Sequence, residues 1–300
     1  NNNNPRVIVE DPPKNILSGL FAGGLEQYNA TTGGFIHHMH DKDDPSSISN
    51  NFLRAITEDS KGNLWIGTDD GLNLYDKKKN SFTHFRHDDK SNSISDNCIS
   101  SFLKDKKGNL WIGTMAGLNC LDLKTFAFTK YTTKDGLPNN AAFGMLEDDK
   151  HNLWVSTNKG ISRINLETKK IKNFGIADGL QSYEFKDHSF CKSSNGAMYF
   201  GGINGFNEFN PDSIKETAFD PPLVITSFRI ANKEVPVAIN DKDPSPLKKN
   251  ITETRDITLP YNSSAFSFEF ASLNYIRAEK KQYAYMLENF DKNWNEVGTK

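Results

Sequence analysis

The fifteen-residue phrase GNLWIGTDDGLNLYD, Gly62 to Asp76, returns as GNLWIGTMAGLNCLD from Gly108 to Asp122. Such a return constrains the fold more than any local motif, because each copy must solve the same packing problem. A glycine followed by an apolar residue marks five copies: Gly24-Leu25, Gly71-Leu72, Gly117-Leu118, Gly160-Ile161 and Gly205-Phe206. Their intervals are 47, 46, 43 and 45 residues. The tryptophan position recurs as Trp65, Trp111 and Trp154, with Leu17 in the first copy and Tyr199 in the last.

Each copy reads as four short strands. In the second they are FLRAITED, LWIGT, GLNLYD and FTHFRH. The turn between the second and third strands ends in Asp70-Gly71, Ala116-Gly117, Lys159-Gly160 and Asn204-Gly205, as expected where a hairpin needs a positive φ. The turn before the tryptophan strand uses Lys61-Gly62, Lys107-Gly108 and Asn195-Gly196, but Lys150-His151 in the fourth copy, which predicts a looser or different turn there. LWIGT does not alternate apolar with polar residues, so both its faces are expected to be covered. A helical solenoid is excluded because no stretch carries a 3.6-residue apolar period. Four strands per unit and a period near 45 define an all-β chain of β-propeller blades, five copies being visible. The tryptophans are assigned to blade-to-blade packing rather than to sugar stacking.

After GFNEFNPDSIKE the repeat ends without a clear fourth strand, and Thr217 to Pro222 reads as a linker. In AFSFEF, Phe266, Phe268 and Phe270 alternate with Ser267 and Glu269, the pattern of a sheet with one buried face. Tyr283 and Tyr285 share a face in the same way. The expected organisation is blades over residues 5–220 and a partial Ig-like β-sandwich over 221–300.

GNLWIGT followed by GLxxYD resembles the propeller repeat of two-component regulators. The tail from Leu259 to Gly298, LPYNSSAFSFEFASLNYIRAEKKQYAYMLENFDKNWNEVG, resembles the tyrosine-rich Ig-like module that follows the propellers in those sensors. The two resemblances cover nearly the whole chain from Arg6 onward. They imply the periplasmic sensor region of a Bacteroidetes hybrid histidine kinase and response regulator, with the blades forming part of a seven-bladed ring. They also imply an oligosaccharide ligand, a homodimer, control of glycan-utilisation genes, and attachment to the inner membrane through a transmembrane segment outside these residues. This fragment itself is expected not to be an enzyme.

Other chemistry is thin. The net charge is −2, which lacks the basic footprint of a nucleic-acid binder. There is no nucleophile elbow, phosphate loop or zinc-protease motif, so no catalytic residue and no cofactor are assigned. Cys98, Cys120 and Cys191 have no metal spacing and are expected as free thiols. His37 to His40 (HHMH) align with the ordinary fourth strand of the next copy, so the stretch is read as a solvated outer strand and no metal site. The acidic runs at Asp41–Ser47 and His87–Ser93 read as loop chemistry between blades.

One propeller face collects the loops leading into each first strand and the turns between second and third strands. The candidate ligand-binding residues there are Asn51, Arg54, Asn97, Asn140, Tyr183 and Phe185 from the loops. The turns add Asp69, Asp70, Met115, Asn158, Lys159 and Asn204. Amides and carboxylates suit sugar hydroxyls, aromatics suit sugar faces, and arginine or lysine suits an acidic sugar. Asparagine is also common in turns for backbone reasons. The alternatives are a propeller lyase or glycosidase, which would need acids or bases confined to one or two blades, and a scaffold that binds only protein.

Overall fold

The computed structural model describes residues 4–11, 15–59, 61–89, 92–214, 222–261, 265–273 and 283–298. The chain divides into two compact units, Asn1–Lys215 and Glu216–Lys300.

The first unit contains five antiparallel meanders. Blade 1 is β1 (Pro5–Asp11), β2 (Asn15–Leu20), β3 (Gly24–Asn29) and β4 (Gly34–His38). Blade 2 is β5 (Leu53–Glu58), β6 (Leu64–Thr68), β7 (Gly71–Asp76) and β8 (Ser81–Phe85). Blade 3 is β9 (Ile99–Lys104), β10 (Leu110–Thr114), β11 (Leu118–Leu121) and β12 (Phe128–Tyr131). Blade 4 is β13 (Ala142–Glu147), β14 (Asn152–Thr157), β15 (Gly160–Asn165) and β16 (Ile171–Phe174). Blade 5 is β17 (Phe185–Lys192), β18 (Met198–Gly202) and β19 (Gly205–Phe209), and no fourth strand joins it among the described residues. The first strand of each blade packs beside the first strand of the next, so these strands are the inner ones.

The two-sided apolar pattern of LWIGT follows from this packing. In blade 2, Leu64 and Ile66 point back into a cluster with Leu17 and Leu25 of blade 1. Trp65 points forward into a cluster with Ile99, Leu110 and Ile112 of blade 3. Trp111 meets Met145, Leu153 and Val155 of blade 4, and Trp154 meets Phe185, Met198 and Phe200 of blade 5. The tryptophans are thus blade-to-blade packing. An indole that loses roughly 200 Å² of exposure contributes up to about 5 kcal/mol. The glycine of LWIGT answers to the same wedge: a Cβ on Gly113 would lie 2.7 Å from the Ala142 carbonyl oxygen of the next blade. The outward faces of the end blades carry similar residues uncovered, with Ile8 64%, Phe35 58% and Phe206 65% exposed.

A buried aspartate latches each indole. Asp59 Oδ1 accepts from the backbone of Lys61 and Asn63, while Oδ2 accepts from Asn63 Nδ2 and Trp65 Nε1 (3.0 Å). Asp105 does the same for Lys107, Asn109 and Trp111, and Asp148 for Lys150, Asn152 and Trp154. Burial pushes the Asp59 carboxyl up, but the hydrogen bonds from Trp65, Asn63 and Lys61 outweigh it, so it ionises below the usual aspartate range.

The fourth blade corrects one expectation. His151 adopts the left-handed φ of 58° where Gly62 and Gly108 sit, and the Asp148 latch is intact, so the turn is the same rather than looser. His151 Nδ1 lies 3.0 Å from Glu147 Oε1, which holds the ring over the turn. Gly71, Gly160 and Gly205 have the expected positive φ. Gly117 does not; a Cβ there would meet Ser95 Oγ at 2.9 Å, so close approach explains it. The outer strand of blade 1 is likewise not wholly solvated. His38 is buried against the rings of Tyr75 and Phe82 (5.2 and 5.7 Å), because β4 leans on blade 2.

The second unit has a sheet ordered β21 (Lys233–Glu234), β20 (Leu223–Ile230), β22 (Phe266–Ser272), and a pair of β23 (Tyr283–Tyr285) and β24 (Asn295–Gly298). Phe228 stacks on Phe268 across β20 and β22 and packs with Leu247 and Ile251. Phe266, Phe268, Tyr285 and Leu287 line an open apolar groove of about 830 Å³. Most of the linker read at Thr217 to Pro222 lies outside the described residues.

Candidate ligand-binding site

The inner strands bring charged side chains of three blades together. Arg54, on β5, donates through Nε to Asp69, in the β6–β7 turn of the same blade. Its Nη1 lies 3.5 Å from Oδ2 of Asp187 on β17. Arg6 Nη1, on β1, lies 3.8 Å from the same oxygen, and His188 Nε2 also lies 3.8 Å from it. Cys98 Sγ lies 3.6 Å from Asp69 Oδ1. Two aromatic rings adjoin the cluster. Arg6 sits 4.7 Å above the Phe21 ring, and Phe21 meets Phe52 edge-on at 5.0 Å.

These groups are partly open to solvent, with side-chain exposures of 31% for Arg6, 25% for Arg54 and 34% for Asp187. Burial works against the charged form of Arg54, but the hydrogen bond it donates to Asp69, with Cys98 and Asp187, more than offsets it, so the guanidinium is held firmly charged. Burial lowers the His188 pKa; Asp187 opposes this, and Arg6 and Arg54 add to it. Burial pushes the Cys98 thiol up to about 11, which removes it as a nucleophile near neutral pH.

Asp187 reaches this position because β17 is irregular. Phe185 pairs with Gly202 and Phe190 with Phe200, so five steps along β17 match two along β18. In blade 4, Ala142 pairs with Thr157 and Met145 with Val155, three steps against two. Residues 186–189 therefore bulge, and His188 takes a left-handed φ of 55°. Such a backbone costs a non-glycine residue roughly 1–2 kcal/mol, and bulges of this kind re-aim side chains.

Of the sequence-derived candidates, the structure joins Arg54 and Asp69 in this cluster. Asp70 instead pairs with Arg86 at 3.0 Å. Asn51, Asn97 and Asn140 serve as loop clamps, accepting from the amides of His40, His87 and Thr133 at 2.6–2.8 Å. Tyr183 is exposed, and its carbonyl accepts from the Gly160 amide. Met115, Asn158, Lys159 and Asn204 are exposed turn residues outside the cluster. Phe185 is a correction: it is 1% exposed and packs edge-on against Phe200 in the core between blades 4 and 5, so it is no ligand contact. Sequence reasoning missed Arg6, Phe21, Phe52, Asp187 and His188. The signal for the last two is a count: the step from lead-in residue to tryptophan position is 14 residues in Asn51–Trp65, Asn97–Trp111 and Asn140–Trp154, but 16 in Tyr183–Tyr199.

Comparison with known proteins agrees with the fold and its repeats. The two component regulator propeller family matches residues 47–70, 93–116 and 136–159. Histidine kinase P4 of Formosa agariphila is 35% identical over 285 residues, covering 93% of this chain and 20% of that protein. An extracellular domain assigned to a hybrid two component system of B. thetaiotaomicron superposes with a TM-score of 0.72 at 28% identity, over 98% of this chain and 38% of that one. Virginiamycin B lyase from Staphylococcus aureus superposes with a TM-score of 0.52 at 16% identity, over 70% of this chain and 71% of that one, which shows a shared fold alone.

Three segments of the bladed unit thus match the two-component regulator propeller repeat, and a separate β unit follows in sequence. Over nearly its whole length the chain is similar to the extracellular region of a hybrid two-component system, and it spans about a fifth of the histidine kinase it matches.

Proposed function

We propose that this chain is the ligand-reading part of a periplasmic sensor, that it binds an oligosaccharide, and that occupancy is relayed to a histidine kinase controlling glycan-utilisation genes. The observation that carries this reading is the axial cluster: an accessible arginine with two carboxylate partners, beside an aromatic pair. Guanidinium and carboxylate groups match sugar hydroxyls, and a phenyl ring matches an apolar sugar face. To signal, the ligand must bind one arrangement of the sensor better than another, because equal binding shifts nothing. A homodimer whose second units change their approach on binding supplies two such arrangements.

The test is calorimetry of a glycan panel against the chain and its Arg54→Ala variant. One saccharide is expected to bind, with at least a tenfold loss in the variant. No binding across the panel, with no change in kinase output in cells, refutes the sensor reading. New reducing ends during incubation would favour the lyase or glycosidase alternative instead.

A further inference from the structure

Asp187 occupies the place where a ligand anion would sit. Its Oδ2 lies between guanidinium groups from two other blades, Arg6 of blade 1 and Arg54 of blade 2. The distances of 3.8 and 3.5 Å are long beside the ~2.7–2.9 Å of a well-made charge-assisted pair. The carboxylate arrives on a bulge two residues longer than its counterpart in blade 4, with His188 in a left-handed backbone. Two arginines converging on one carboxylate, loosely and within reach of solvent, form an anion receptor filled by the protein's own side chain.

We propose that the Arg6–Arg54 pair is the subsite for the carboxylate of a uronic-acid residue, and that Asp187 is its built-in competitor. This inference rests on the saccharide-sensor reading and adds the ligand class. A sugar carboxylate free to align on both guanidiniums makes the shorter bonds that Asp187, tethered to β17, does not reach. The ring of that sugar lies next to Phe21 and Phe52. Displacement releases residues 186–189 in blade 5, the blade that leads in sequence to the second unit. Besides Asp187, the charged or titratable groups around the subsite are Arg6, Arg54, Asp69, Cys98 and His188, and Arg54 keeps Asp69 as a partner when Asp187 leaves.

The experiment vacates the subsite and refills it. Sodium glucuronate and glucose, at matched ionic strength, are added to the full 300-residue chain as wild type, Asp187→Ala and Asp187→Ala/Arg54→Met. Thermal unfolding is the readout. At ten times its Kd, glucuronate is expected to raise the melting temperature of Asp187→Ala by about 2–4 °C, and glucose is expected to leave it unchanged. Wild type is expected to need at least tenfold more glucuronate, and the double variant to show no response. Equal effects of glucuronate and glucose on Asp187→Ala, or a response kept in the double variant, overturn the proposal. Should Asp187→Ala fail to fold, Asp187→Asn, which keeps the volume and removes the charge, gives the same readout. The two readings separate cleanly. A neutral glycan that binds as tightly as its uronate analogue refutes the uronate subsite and leaves the sensor standing. A glucuronate response without any oligosaccharide binding refutes the sensor and leaves the receptor.

Discussion

Replacing Asp105 by alanine tests the packing logic at its most specific point. The side chain is buried, and it accepts from Lys107 N (3.0 Å), Asn109 N (2.8 Å), Asn109 Nδ2 (2.8 Å) and Trp111 Nε1 (2.9 Å). Hydrogen bonds to a charged acceptor each contribute about 1.5–3 kcal/mol. The backbone amides of a surface turn recover water when the carboxylate is removed, so their losses do not sum in full. Trp111 Nε1 does not recover, because the indole is sealed between blades 3 and 4. An orphaned buried donor costs about 1–3 kcal/mol. The expected total is about 3–5 kcal/mol. Asp105→Asn keeps one acceptor oxygen but turns an amide donor toward Asn109 Nδ2 and Trp111 Nε1, so about 2–3 kcal/mol is expected.

Urea unfolding of the full chain followed by circular dichroism measures these losses, with Trp111→Phe completing a double-mutant cycle. A coupling of at least about 1.5 kcal/mol between Asp105 and Trp111 is expected. Asp122→Ala is the control: this exposed carboxylate also accepts two backbone amides, from Lys124 and Thr125, but latches no indole, and a much smaller loss is expected. If Asp105→Ala costs under about 1 kcal/mol, or the coupling is absent, the carboxylate does not position the indole and the latch is incidental.

Phe35 and Phe82 occupy the same register in successive blades, opposite Tyr28 and Tyr75. Phe82→Ala is expected to cost about 3–4 kcal/mol, whereas Phe35→Ala should stay within about 1 kcal/mol, because the first is 6% exposed and the second 58%; equal costs in urea unfolding would deny that blade faces stabilise only when covered. Burial, reinforced by His37, lowers the His38 pKa, so its folded value lies below its unfolded value near 6.5. Its contribution is therefore intact above pH 6.5 and is lost as pH falls from there toward the folded pKa; His38→Phe should flatten that part of the stability–pH curve, and an unchanged curve would clear His38 of any role. Burial pushes the Cys98 and Cys120 thiols up to about 11, while Cys191 is exposed. A thiol reagent at pH 7.5 should modify Cys191 first, as peptide mass mapping would show.

The architecture was legible because one physical problem is solved repeatedly. Leu64, Trp65 and Ile66 are apolar in a row since the first and third face one neighbour and the second faces the other. That pattern survives substitution, as Leu17 shows by filling the indole position at 1% exposure. The indole latch was legible in principle too. The spacing of Asp59, Asn63 and Trp65 recurs at Asp105, Asn109 and Trp111 and at Asp148, Asn152 and Trp154, but an aspartate in a turn looks ordinary until its buried partner is seen. Phe185 was misplaced for a related reason. It stands two residues after Tyr183, an exposed lead-in residue, but Tyr183 belongs to the loop, whereas Phe185 opens β17 and packs into the blade 4–blade 5 core.

The site was less legible, and the reason lies in how a repeat distributes its residues. A position occupied alike in every blade is there for a need every blade shares, and those needs are turns and packing. Asn51, Asn97 and Asn140 were read as ligand contacts from their place on one propeller face, but they recur from blade to blade and proved to be loop clamps. Recognition of one ligand at one axis needs residues that do not recur. Arg6 and Arg54 share one register in blades 1 and 2 and are not repeated in the next two, where Ser100 and Phe143 stand, and Asp187 rides on a two-residue expansion found in β17 but not in β5 or β13. In a chain of this kind the repeat locates the scaffold, and the departures from its count locate the chemistry.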